Sequence, residues 1–176
     1  MAQAMLNPAE LTADQFRSIS SMVKSLCGIN LHDGKKALVR ARLTKRLRAL
    51  GLSDFGQYLE IVRTDADGRE TLSMLDALST NLTYFFREPR HFEVLARDVI
   101  PAVRARNRDS RRLRIWSAGC SSGEEPYSIA ITLKQAMGDL GMWDAGILAT
   151  DLSLVMLRSA VRGVYGLGRL RHVPAR

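Results

Sequence analysis

A short alternating run that breaks off into glycine and serine and restarts on two acids constrains this chain more than any other feature. It is Leu113 to Tyr127, LRIWSAGCSSGEEPY. Leu113, Ile115 and Ser117 alternate with Arg114 and Trp116, the period of a β-strand. Gly119, Ser121, Ser122 and Gly123 supply a tight turn. Glu124, Glu125 and Pro126 suit the first turn of a helix, where unpaired N–H groups and the positive dipole end face outward. Strand, glycine-bearing loop, helix is the first crossover of a doubly wound α/β sheet, whose ligands gather at the carboxyl end of the strand. A phosphate cradle keeps such a helix start free of carboxylates. Two glutamates there point to a ligand carrying positive charge. An ordinary βα turn is the competing reading of these residues alone.

The rest of the sheet follows from that run. Tyr127 to Met137 reads as an apolar helix that packs Ile129, Ala130, Ile131 and Leu133 on the sheet. Ile147 to Asp151 reads as a buried second parallel strand ending in a carboxylate, with Ser153 capping a helix from Leu154 to Arg162. An acid at the end of the second strand reaches ribose hydroxyls, those of a nicotinamide dinucleotide in dehydrogenases or of adenosine in methyltransferases.

Before the sheet the pattern is helical. Thr12-Ala13-Asp14-Gln15 is a capping box, followed by Phe16, Ile19, Val23 and Leu26 at helical spacing and by Gly28 as a stop. A second helix, Lys35 to Leu50, carries Lys35, Lys36, Arg40, Arg42, Lys45, Arg46 and Arg48 with no acid among them. Val39, Leu43, Leu47 and Leu50 form its narrow apolar stripe. The basic side chains are either a solvated face or a docking surface for something acidic. Ser53 is placed to cap a third helix with Phe55, Tyr58, Leu59 and Val62 inward, and Thr71 to Leu82 reads as a fourth with Leu72, Leu75 and Leu78 on one side. Tyr84, Phe85 and Phe86 then stand consecutively between polar Asn81, Thr83 and Arg87, a pattern no single helix or strand face accommodates. They either plug a gap between domains or line a ligand-facing segment. Pro89 opens a helix running through Phe92, Leu95 and Ile100 towards Pro101, and the arginines from 104 to 112 read as a solvated loop.

Composition narrows the classes. No apolar run approaches the roughly 20 residues needed to span a bilayer, and MAQAMLNPAE lacks the basic segment and apolar core of a secretory signal. Cys27 and Cys120 are far apart, as free thiols in a reducing cytoplasm would be, and His32, His91 and His172 lack metal-ligand spacing. The net charge of +8 fits nucleic acid, an acidic membrane surface or an acidic protein as a partner. A nucleic acid is disfavoured, since the aromatics are not interleaved with the basic run as a stacking platform requires.

Taken together, these motifs resemble those of the CheR-type chemotaxis receptor methyltransferases. The resemblance rests on LVRARLTKRLRALGL, STNLTYFFREPRHF, RIWSAGCSSGEEPYSIAITL, and ATD followed by SAVRGVYGLGRL, in that order, and covers most of the chain from about residue 12. It implies an α+β chain: an all-α receptor-recognition domain over 1–80, an interdomain cofactor-facing segment over 81–92, and the start of a doubly wound, Rossmann-like methyltransferase domain over 93–176. The implied methyl donor is S-adenosylmethionine, leaving as S-adenosylhomocysteine, and the implied acceptors are glutamates on cytoplasmic helices of chemoreceptors. By resemblance Asn81, Thr83 and Arg87 reach the cofactor, with Arg87 on the methionyl carboxylate, Glu124 on its ammonium and Asp151 on the ribose. Lys36, Arg40, Arg42, Lys45, Arg46 and Arg48 become the receptor-binding surface, with no metal and no nucleic acid involved. The family's later strands, which contact adenine and align the methyl, lie beyond Arg176. The expectation is therefore a chain inactive or nearly so by itself, with catalytic residues unassigned and an uncovered sheet open to self-association. A receptor-binding or regulatory module without catalysis is the alternative.

Overall fold

The computed structural model describes residues 10–173; the amino-terminal stretch read for a leader lies almost wholly outside them. The chain divides into two units, one running to Ser79 and one from Thr80.

The first unit is helical. Helix α1, Ala13–Cys27, starts on the predicted reciprocal cap: Thr12 Oγ1 accepts the Gln15 N–H at 3.2 Å while the Gln15 side chain accepts the Thr12 N–H at 2.9 Å. It ends on Gly28 at φ +76°. Helix α2, Lys36–Ala49, is preceded by a tight 3₁₀ turn over Asp33–Lys35, so Lys35 lies outside the α-helix. Val39, Leu43 and Leu47 are fully buried, and these anchors hold a helix whose charges alone would not favour it. Leu50, expected on that stripe, caps the helix and is exposed. Helix α3, Phe55–Arg63, is capped by Asp54 rather than Ser53: the carboxylate accepts the Gln57 N–H at 3.1 Å. Helix α4, Arg69–Leu78, begins and ends earlier than the periodicity suggested, turning Met74, Leu75 and Leu78 inward and leaving Leu72 exposed. The Ser79 hydroxyl donates back to the Leu75 carbonyl at 2.8 Å, a local bond that competes with a further helical turn.

The second unit opens with an irregular segment through Glu88, then helix α5, Pro89–Val94. The helix does not stop at Pro101. A π turn over Leu95–Val99 carries it into α6, Ile100–Arg106. Pro101 has no N–H and its ring crowds the preceding turn, and the widened turn just ahead of it accommodates both. Arg104 and Arg106 therefore sit on a helix rather than in the predicted loop. Strand β1, Arg112–Ala118, pairs in parallel with β2, Asp144–Thr150, with Ile115 opposite Ile147. Between them runs α7, Glu124–Met137; after β2 comes α8, Leu154–Arg162, capped by Ser153 as its sequence implied. Ile100, Leu113, Ile129, Leu133 and Met137 form the core on one sheet face. On the other face Trp116 is 67% and Leu148 62% exposed, an unusual state for parallel strands, which are normally covered on both sides. No described helix is long and apolar enough to cross a membrane.

Candidate functional site

The glycine-bearing loop is stapled to the end of β2. The N–H groups of Gly119 and Cys120 both donate to the Thr150 carbonyl, at 2.8 and 2.9 Å. Ser121, at φ +49°, turns its N–H onto Asp151 Oδ2 at 2.7 Å, and Asp151 Oδ1 accepts the Ser153 N–H at 2.8 Å. One carboxylate thus fastens both the loop and the start of α8. Each of its oxygens keeps a second acceptor direction, so Asp151 remains able to receive hydroxyl donors. Burial, with the Asp151 charge second, pushes the Cys120 thiol up, which leaves it protonated near neutral pH.

The three aromatics of the 81–92 segment are absorbed within the second unit by pointing three ways. Phe85 is buried with its ring edge-on to Tyr165, Phe86 meets Phe92, and Tyr84 lies against His172, with centroids 4.9, 5.1 and 5.1 Å apart. Phe86 holds a left-handed backbone at φ +55°, and its N–H donates to the Ser128 hydroxyl at 3.0 Å. That hydroxyl in turn donates to the Glu124 carbonyl at 2.7 Å. The Ser121 hydroxyl donates to the Asn81 carbonyl at 3.3 Å, so the segment and the loop are directly joined. Arg87 is exposed and donates to the Leu82 carbonyl at 3.0 Å; Thr83 is half-buried. Asn81, Thr83, Arg87 and Asp151 therefore belong to two segments brought together at the carboxyl end of the sheet.

Glu124 departs from the sequence reading. It does not stand at an open mouth: it is fully buried, its Oε2 accepting the Ser122 hydroxyl at 2.6 Å and its Oε1 paired with Arg169 at 3.0 Å. As the first residue of α7 it faces inward, and its charge is met by the protein. Glu125 is the exposed acid of the pair, accepting a bond from the buried Ser117 hydroxyl at 2.6 Å. Sequence reasoning missed Ser128, Tyr165 and Arg169. Glu124, Ser128 and Thr132 recur every four residues on the buried face of α7, a polar stripe visible in the sequence. Nothing local marks Arg169, which reaches the loop only because the chain doubles back after α8.

On the first unit the six basic candidates separate into two sets. Arg42 donates to the Leu78 and Ser79 carbonyls at 2.8 and 2.9 Å, satisfying the end of α4. Arg46 grips Glu70 with two bonds, at 3.0 and 2.5 Å, and the Tyr58 hydroxyl donates to the same carboxylate at 2.9 Å. Bonding to Glu70 raises the Arg46 pKa further above its already high value, and burial, with Glu70 second, raises that of Tyr58. These two arginines hold the fold. Arg40, Lys45 and Arg48 are exposed and Lys36 half-exposed, with Arg40 paired to the exposed Glu10 at 3.3 Å.

An acid at the end of the second strand, a glycine loop bonded to it and an adjoining cationic segment define a cofactor-binding α/β domain of the doubly wound class. Of the side chains there, Arg87 is an exposed cation, Glu125 an exposed anion, and Asp151 a carboxylate acceptor to which neutral hydroxyl groups can donate. Among the described residues no cluster suited to a metal ion occurs.

Comparison with known proteins agrees. Residues 14–79 match the all-alpha domain of CheR methyltransferases, and residues 81–176 match the S-adenosylmethionine-binding domain of the same proteins. The chain is 43% identical to a chemotaxis protein methyltransferase of Salmonella typhimurium over 92% of its own length and 53% of the relative's. It is 42% identical to the Escherichia coli protein of that name over 88% of this chain and 51% of the relative, and 37% identical to that of Borreliella burgdorferi over 93% and 59%. The chain belongs to the CheR methyltransferase family. It spans about half the length of the curated relatives it matches.

Proposed function

We propose that this chain supplies the receptor-docking and cofactor-holding parts of an S-adenosylmethionine-dependent methyltransferase that modifies glutamate side chains on cytoplasmic helices of chemoreceptors. The observation that carries the reading is the Asp151 carboxylate, which ties the glycine loop to the end of β2 while keeping acceptor capacity for ribose hydroxyls. When bound, S-adenosylmethionine supplies an activated methyl group. Arg87 takes the methionyl carboxylate as a two-pronged donor, with Asn81 and Thr83 on the same segment. Glu125, as the exposed acid, takes the ammonium, Glu124 being already paired. A glutamate acceptor is ionised near neutral pH and needs no base, so the reaction asks for alignment and exclusion of water, to which this chain contributes by holding the cofactor. Lys36, Arg40, Lys45 and Arg48 present the positive face that meets an acidic receptor helix. Methylation removes one negative charge from that helix, a switch read downstream.

Calorimetric titration with S-adenosylhomocysteine tests the cofactor half. Saturable binding that Arg87→Ala and Asp151→Ala each weaken is expected. Unchanged affinity in both folded variants would remove these residues from the site.

A further inference from the structure

After α8 the chain turns at Gly163, φ +59°, where a Cβ would come 2.6 Å from the Tyr127 hydroxyl. It then runs back over the glycine loop. Tyr165 wedges between Phe85 and Tyr127, centroids 4.9 and 5.8 Å away and both edge-on, and its hydroxyl donates to the Ser122 carbonyl at 2.7 Å. The same hydroxyl stands 2.5 Å from the place a Cβ on Gly123 would occupy, so the loop and Tyr165 fit only with glycine there. A 3₁₀ turn over Leu167–Arg169 brings the Arg169 guanidinium to Glu124 Oε1 at 3.0 Å and to the Ser122 hydroxyl at 3.4 Å. Oε1 has no aligned hydrogen-bond donor among the described residues, so the ion pair is what compensates a carboxylate oxygen cut off from water. His172 closes the run against Tyr84.

One short segment therefore touches the loop at Ser122, the start of α7 at Glu124 and the aromatic segment at Tyr84 and Phe85. We propose that residues 163–173 are a strap that preorganises the cofactor loop, with Tyr165 and Arg169 as positioning residues acting through Ser122 and buried Glu124. The inference rests on the cofactor reading given above. Its physical basis is that a loop already held in its bound shape loses less freedom on binding. Glu124, buried without a counter-charge, would draw water or a proton inward and release the loop from α7. Arg169 is half-exposed, so the strap closes over the loop without being locked into the core.

The test uses the 176-residue chain with two readouts: hydrogen exchange of the amides of residues 119–123 without ligand, and titration with S-adenosylhomocysteine. Arg169→Gln and Tyr165→Phe are expected to speed loop exchange and to weaken binding by about tenfold, or about 1.4 kcal/mol. Arg169→Lys, which keeps the charge, should restore most of both. A double variant, Glu124→Gln with Arg169→Gln, removes both charges. It should expose the loop less than Arg169→Gln alone, because no buried charge is left unpaired. Loop exchange unchanged in Arg169→Gln, or in Tyr165→Phe where Arg169→Gln does not fold, overturns the strap. Faster exchange with unchanged affinity overturns the positioning role while the cofactor reading stands. Absence of any binding by the unaltered chain counts against the cofactor reading and the positioning role, and loop exchange still decides the strap.

Discussion

Arg46→Met separates the structural arginines of α2 from those free to meet a partner. Glu70 is 11% exposed and Arg46 28% at the side chain, and the pair is joined by two bonds. Removing one partner of a buried pair costs about 3–5 kcal/mol because the other charge is left uncompensated. Water can reach part of the guanidinium site, and the Tyr58 hydroxyl still donates to Glu70, so about 2–4 kcal/mol is expected here. Typical domain stabilities are about 5–15 kcal/mol, so this loss is a large fraction of what the helical unit has. Lys45→Met, one residue away and exposed, should change stability by no more than about 0.5 kcal/mol. Glu70→Met combined with Arg46→Met should recover most of the loss, because an apolar pair of similar size replaces the buried ions. Hydrogen exchange of amides 36–78 measures the effect. Trp116 and Trp143, both in the second unit, give an independent fluorescence control that should not move. Equal losses in Arg46→Met and Lys45→Met would refute the reasoning.

Lys45→Glu with Arg48→Glu should weaken binding to an acidic receptor-helix peptide, most at low salt where screening is least, while leaving S-adenosylhomocysteine affinity unchanged; retained binding with the same salt dependence would make α2 a solvated face. Asp151→Ala should weaken S-adenosylhomocysteine binding by about tenfold or more, at roughly 1.5–3 kcal/mol for each bond to a charged acceptor, and should also speed exchange of the Ser121 amide. Tyr165 is pushed up to about 12, burial being the larger cause and the Glu124 charge the next. Because its folded pKa exceeds the ordinary value of about 10, its contribution is complete below that pH and is lost as pH rises through the folded value. Strap exchange at residues 163–173, corrected for the intrinsic rate, should therefore rise above about pH 10 in the unaltered chain and less steeply in Tyr165→Phe.

Local chemistry decided the elements. The Thr12–Gln15 box, Gly28, the Val39–Leu43–Leu47 stripe, the Leu113–Ser117 alternation and the Ser153 cap each act within a turn or two of chain, where spacing and side-chain type suffice. Where two local signals competed, the sequence alone did not choose. Asp54 rather than Ser53 capped α3, and Pro101 was carried inside a helix by a π turn. The resemblance carried the family, because several motifs in order exceed what any one of them can say. Tertiary structure decided the fate of individual charges. Arg42 and Arg46 read like Lys45 and Arg48 along the helix, yet Arg42 bonds the last carbonyl of α4 and Arg46 bonds Glu70, while Lys45 and Arg48 are exposed. Glu124 and Glu125 are neighbours at the start of one helix, and the 100° step between them puts one in the protein and the other in solvent. Arg169 reaches Glu124 from 45 residues away, a pairing set by the path of the chain after α8 rather than by any pattern along it.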